Sequence, residues 1–128
     1  MNRPDLLKKY QEMEIQTSSP EKLILLLYDE AIKCLNQVKT KLGGENIEEV
    51  NRLFLKTQKI IRELTCSLNL EVGEVSIRWC SLYEYIYQRL IQANIEKNPR
   101  IIEEVLSLLR PLREAWIKAM EQVNENCN

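Results

Sequence analysis

Residues 18–42, SSPEKLILLLYDEAIKCLNQVKTKL, decide the fold. Within them Ile24, Leu27, Tyr28, Ala31, Cys34, Leu35, Val38 and Leu42 recur at steps of three and four. At about 100° per residue this lays one apolar stripe along a single helix face. The start carries the chemistry of a helix N-terminus. Either Ser18 or Ser19 can cap, Pro20 has no N–H to lose in the first turn, and Glu21 completes a capping box with Ser18. Gly43-Gly44 stops the helix.

Three more stripes follow outward from this one. A second helix is predicted from about Asn46 to Asn69, with Asn46 and Glu49 as its cap and Ile47, Val50, Phe54, Thr57, Ile61, Leu64 and Leu68 facing inward. The segment through Gly73 breaks the pattern. A third helix, from about Glu74 to Ile95, buries Val75, Trp79, Leu82, Tyr83, Ile86, Leu90 and Ala93. Asn98-Pro99 restarts the chain, and a fourth helix to about Val123 carries Ile102, Val105, Leu109, Leu112, Trp116, Ala119 and Val123. Helices of roughly 20 to 25 residues joined by short connections pack as antiparallel neighbours. The fold class is therefore all-α, an up-down-up-down four-helix bundle over residues 20–124 with a tail at 125–128. Pro111 lacks the N–H that would reach the Ser107 carbonyl, so a bend is expected there, either facing solvent or shaping a groove.

Residues 1–19 differ in kind. One or two helical turns over Asp5 to Tyr10 precede a stretch without sustained period, which gives an N-terminal arm or cap studded with Leu6, Leu7, Tyr10, Met13 and Ile15.

Composition narrows the function. A chain of 128 residues makes one domain, and 18 basic against 19 acidic side chains provide no basic face for nucleic acid. The longest apolar run, Leu23 to Tyr28, is far below the roughly 20 residues that span a bilayer, so no membrane insertion is expected. The polar stretch Met1 to Gln11 lacks a signal-peptide core, which implies the cytosol. Cys34, Cys66, Cys80 and Cys127 are scattered, and the chain has no histidine. Reduced, buried or half-buried thiols, a fold needing neither metal nor disulfide, and no cofactor are the expectation. A glycine-rich phosphate loop and a nucleophile elbow are also missing, and the neighbouring carboxylates Asp29-Glu30 and Glu103-Glu104 point in different directions on their helices. The chain reads as a binding protein, not an enzyme.

What it binds with is surplus apolar surface. Leu25 and Leu26 lie about 120° or more from the first stripe and Ile32 about 100° away, while Leu55, Ile77, Tyr85 and Ile91 leave the second and third stripes. Tyr83, Tyr85 and Tyr87 divide nearly a full circumference among them. An apolar groove open to an amphipathic segment uses such residues. The candidate cargo-binding or cap residues are Leu6, Leu7, Tyr10, Ile15, Leu25, Ile32, Leu55, Ile77 and Tyr85. The alternative is a widened core partly covered by the arm.

Particular residues, taken in order, resemble a known family. Tyr10-Gln11, Thr17-Ser18-Ser19-Pro20, Leu27-Tyr28-Asp29 and Ala31-Ile32 are followed by Gln58, Ile60-Ile61, Glu63-Leu64 and Ser67-Leu68. Leu82-Tyr83-Glu84-Tyr85-Ile86, Arg89-Leu90, Ala93-Asn94-Ile95, Leu112-Arg113 and Ala115-Trp116 complete the series. In order and spacing the chain is similar, nearly end to end, to the flagellar export chaperones called FliS. The resemblance implies a cytosolic four-helix chaperone that wraps the disordered C-terminal segment of flagellin, blocks premature assembly and presents the cargo to the flagellar export gate. It also implies that the arm around Tyr10 lies over the cargo surface and moves when flagellin binds. Pro111 and Glu30, the latter where a small residue is usual, depart from the family pattern. The competing reading is a structural, oligomerising bundle without flagellin cargo, whose solution mass added flagellin would leave unchanged.

Overall fold

A computed structural model describes residues 20–68 and 74–127, all but the side chains of 74–76 and 123–127. The arm residues Leu6, Leu7, Tyr10, Met13 and Ile15, the Ser18 or Ser19 cap, the break at Gly73 and the side chains of Val75 and Val123 lie outside the described residues.

Four helices account for most of the described residues: α1 Pro20–Lys41, α2 Ile47–Cys66, α3 Glu74–Glu96 and α4 Pro99–Cys127. No strand occurs among the described residues. Each helix packs on two neighbours, α1 on α2 and α4, and α3 on α2 and α4, so the helices form a ring with four seams. Cross-seam partners fix the directions. Between α1 and α4 the pairs run Glu21 with Trp116, Asp29 with Arg113 and Lys39 with Glu103. Between α2 and α3 they run Asn51 with Lys97 and Arg62 with Glu84. Numbers rise on one helix as they fall on the other, which is the antiparallel bundle that the stripes predict.

The caps form much as their residues dictate. Asn46 Oδ1 accepts the Glu49 N–H at 3.0 Å, while the Glu49 carboxylate takes the Arg52 guanidinium at 2.9 Å. Gly43, at φ 82, supplies the left-handed residue that turns the chain out of α1. The α3–α4 turn uses Lys97 in that role, at φ 51, and the Asn98 N–H reaches back to the Ala93 carbonyl at 3.2 Å. A glycine would adopt this conformation more easily, but the lysine ammonium binds the Asn94 carbonyl at 2.6 Å and, across the seam, Asn51 Oδ1 at 2.7 Å. Asn98 Oδ1 then caps α4 by accepting the Arg100 N–H at 2.9 Å.

All four helices feed one core, in which Leu27, Leu35, Phe54, Ile61, Ile86, Leu90, Ile102 and Leu109 are fully enclosed. Across its middle, the buried hydroxyls of Tyr28 on α1 and Tyr83 on α3 hydrogen-bond to each other. Each helix faces two neighbours, so the buried face is wider than one stripe and also takes in Leu53, Ile60, Ile101 and Leu106. Two expected core positions are corrected. Ile47 is 57 % exposed because it opens α2, where no neighbouring helix covers it, and Ala119 is exposed because Trp116 already meets the first turn of α1. Cys34 is buried and Cys80 half-buried as expected, but Cys66 is exposed at the end of α2, and all three are free thiols. Helix α4 continues through Pro111, which is itself exposed, and runs past Val123 to Cys127.

Candidate functional site

The surface is best described seam by seam, since a residue on the edge of a helix faces one neighbour and the solvent together. On α2, Asn51, Leu55 and Arg62 follow one another by four and seven residues and so share an edge. Arg62 bonds to α3 and Asn51 to Lys97 just past its end, which places Leu55 on the α2–α3 seam. On α3, Ile77, Glu84, Ile91 and Ile95 share the matching edge by the same rule, with Glu84 bound to Arg62 at 2.8 Å. The Arg62 guanidinium also lies 3.6 Å over the Tyr87 ring. Leu55, Ile77 and Ile95 are 53 %, 56 % and 72 % exposed, large apolar side chains that the fold itself leaves uncovered.

The α3–α4 seam carries Tyr85. Its ring is exposed, but its hydroxyl donates to the Glu104 carboxylate, which also receives the Arg89 guanidinium at 3.0 Å. The Tyr85 hydroxyl, ahead of Arg89, holds that carboxyl below the usual range, and Glu104 in turn pushes the Tyr85 phenol up. The three tyrosines thus point three ways, with Tyr83 into the core, Tyr87 toward α2 and Tyr85 toward α4.

Leu25 and Ile32 are half-buried, and their seven-residue spacing puts them on one edge of α1. Ile32 lies in the α1–α4 seam, where it lines a cleft of about 490 Å³ with Asp29, Arg110, Pro111, Arg113 and Glu114. Glu30 faces the other way, to α2, and binds Lys56 at 2.6 Å. Its carboxylate is 3.9 Å from the Cys34 thiol, whose pKa burial pushes up.

The described candidates are therefore not gathered into one groove. Leu55 and Ile77 share the α2–α3 seam, Leu25 and Ile32 the α1 edge toward α4, and Tyr85 stands alone on the α3–α4 seam. Leu6, Leu7, Tyr10 and Ile15 lie outside the described residues. Sequence reasoning missed Ile95, although its four-residue step from Ile91 and eighteen-residue step from Ile77 mark the same edge. At the α1 start, Leu23, Ile24 and Leu27 line an open lip of about 260 Å³ with Glu63 and Cys66 of α2. An aromatic chain links α4 to α3. Trp116 meets Trp79 with ring centroids 6.4 Å apart, and Trp79 meets Tyr83 at 6.1 Å. Among the described residues no three His, Cys, Asp or Glu side chains group to hold a metal ion, and no helix is long and apolar enough to cross a membrane.

Against known families, the model described as flagellar protein FliS matches residues 3–123. The chain is similar to the flagellar secretion chaperone FliS of Bacillus subtilis (strain 168), 32 % identical over 112 residues that span 88 % of this chain and 84 % of that protein. It is similar to the flagellar secretion chaperone FliS of Salmonella typhimurium, 33 % identical over 107 residues, covering 82 % and 79 %. The Campylobacter jejuni protein of the same name is 33 % identical over 108 residues, covering 84 % of each chain.

Proposed function

The chain belongs to the FliS family of flagellar secretion chaperones, and from that premise we propose that it binds the C-terminal segment of flagellin in the cytosol. It holds that segment as an otherwise disordered chain, keeps it from polymerising early, and delivers it to a component of the flagellar export gate. Binding is the whole of its action, with no catalytic step and no cofactor.

The observation that carries this reading is the exposed row of Leu55, Ile77 and Ile95 along the α2–α3 seam. A soluble bundle gains nothing by leaving such side chains in water, whereas an amphipathic helix laid along the seam buries them at about 25 cal/mol per Å² of apolar surface. Ordering a flexible cargo opposes this gain, so the complex forms with helix appearing in the cargo as it binds. Titration calorimetry of a flagellin C-terminal peptide into the full chain is expected to give a clearly negative heat-capacity change, with circular dichroism exceeding the sum of the free components. A heat-capacity change near zero, or spectra that merely add, would sink the reading.

The arm completes the proposal. Leu6, Leu7, Tyr10 and Ile15 are too apolar to stay in water, and the exposed row of Leu55, Ile77 and Ile95 is apolar surface of the kind they would cover. The arm covers the cargo surface until flagellin displaces it. Deleting residues 2–15 is expected to raise apparent flagellin affinity by the reciprocal of the open fraction. Unchanged affinity would remove the arm from the mechanism.

A further inference from the structure

Pro111 and Ile32 are sequence features that cargo binding at the α2–α3 seam leaves unused. Pro111 sits exposed in the middle of α4, and because it has no N–H, the Ser107 carbonyl is denied the donor that a helix normally supplies. Opposite the proline ring, across the α1–α4 seam, is Ile32. Two polar clamps bracket the pair, Lys39 with Glu103 on one side and Asp29 with Arg113 on the other. Between them the seam opens into the cleft of about 490 Å³, with an apolar floor of Ile32 and Pro111.

The charges at this cleft are unequally committed. Arg113 is bound by Asp29 at 2.5 Å and by Glu114 at 3.1 Å. Arg110 lies on the exposed rim and makes no hydrogen bond or ion pair with another described residue, and Glu103, the carboxylate within its field, is already bound to Lys39. The cleft thus offers an apolar floor and a guanidinium without a local partner among the described residues. In the four-membered ring of helices, the α1–α4 seam is also opposite the α2–α3 seam.

We propose that the α1–α4 cleft at Ile32 and Pro111 is a second docking surface, for a short acidic amphipathic segment of another protein that inserts an apolar side chain between them and sets a carboxylate on Arg110. Complementary charge at such a rim selects the partner more than it adds affinity. Because this surface lies on the opposite side of the bundle, its occupant and one on the α2–α3 seam can be bound together.

The test uses the isotope-labelled full chain and two synthetic 14-residue peptides. One carries two leucines a helical turn apart among glutamates, and the other has lysine for every glutamate. In titrations followed by NMR, the acidic peptide is expected to shift the amides of Ile32, Arg110 and Arg113 and to bind at least roughly fivefold tighter than the basic one. Arg110→Glu is expected to invert that order and Arg110→Gln to level it. Neither should change the melting temperature, since no local bond is lost. Ile32→Ala is expected to weaken the acidic peptide without changing its preference. A preference that survives Arg110→Glu would overturn the proposal, as would shifts confined to the α2–α3 seam or no shifts at all. A saturating flagellin C-terminal peptide should leave acidic-peptide binding intact, and mutual exclusion would count against a separate surface. The peptide result stands whether or not flagellin binds.

Discussion

The α1–α4 and α2–α3 seams lie on opposite sides of the same bundle and are both crossed by arginine–carboxylate pairs, yet they finish their surfaces differently. Along α1–α4 the polar links recur from one end to the other, through Lys39 and Glu103, Asp29 and Arg113, and Trp116 Nε1 on the Glu21 carbonyl at 3.1 Å. Along α2–α3, Arg62 with Glu84 and Lys97 with Asn51 are separated by exposed Leu55, and Ile77 and Ile95 continue the row. Polar links across a seam hold two helices in register at little gain in stability. Half-exposed apolar residues on a seam edge add little to the isolated fold, and in the proposed function they are the surface that cargo covers.

The largest effect should come from attacking that apolar row. Leu55→Asp with Ile95→Asp places two charges where cargo must desolvate, and flagellin affinity is expected to fall by about 100-fold or more, at about 1–3 kcal/mol per site. Both side chains are exposed, so the free bundle should melt within a few degrees of the parent. Asp29→Asn on the opposite seam should leave flagellin affinity within about threefold. Equal losses from the two seams, measured by calorimetry, would abolish the distinction between them.

How far this contrast was legible in the sequence depends on what sets each feature. The four stripes were legible because burial on a helix imposes a 3.6-residue period, and the core fills along Tyr28, Ala31, Leu35 and Val38 as that period requires. Leu55 and Ile77 were legible as departures from it. Ile47 was not, since periodicity says which face a residue occupies but not whether the neighbouring helix reaches that turn. The division of the candidates among three seams was also hidden. Leu25, Leu55 and Tyr85 are all off-stripe, but which neighbour each faces follows from the ring order and from partners such as Arg62 and Glu104. Lys97 in a left-handed conformation was unreadable for a related reason, because its compensating partner Asn51 is 46 residues away in sequence.

The next effect concerns the core that ties the two seams together. Tyr28→Phe leaves the Tyr83 hydroxyl buried without its partner and is expected to cost about 1–3 kcal/mol in urea unfolding. The double change Tyr28→Phe with Tyr83→Phe removes both hydroxyls and should cost less than the single one. The same pair sets an alkaline limit. Burial pushes both phenols up, Tyr28 the further and Tyr83 to about 12, against an ordinary value of 10.0. Between those values the unfolded chain has already released protons that the folded chain retains, so stability falls as pH rises from about 10 toward 12. A parent protein whose melting temperature stays flat across that window, or falls no faster than that of the double phenylalanine variant, would show that the pair is not buried in solution.

The smallest effect belongs to the clamp between Asp29 and Arg113. The bond is short at 2.5 Å, but the Asp29 side chain is 47 % exposed, and water competes for both partners. Arg113 also retains Glu114 at 3.1 Å, so removing Asp29 does not strand a charge. A double-mutant cycle with Asp29→Asn and Arg113→Gln is therefore expected to give a coupling of about 0.5 kcal/mol, most of it lost in 1 M salt. A coupling near 2 kcal/mol that persists in salt would mean that the α1–α4 seam is held by desolvated charge. A cleft at Ile32 and Pro111 bounded by so stiff a clamp would then be less able to admit a partner, which ties this small energy to the proposed second surface.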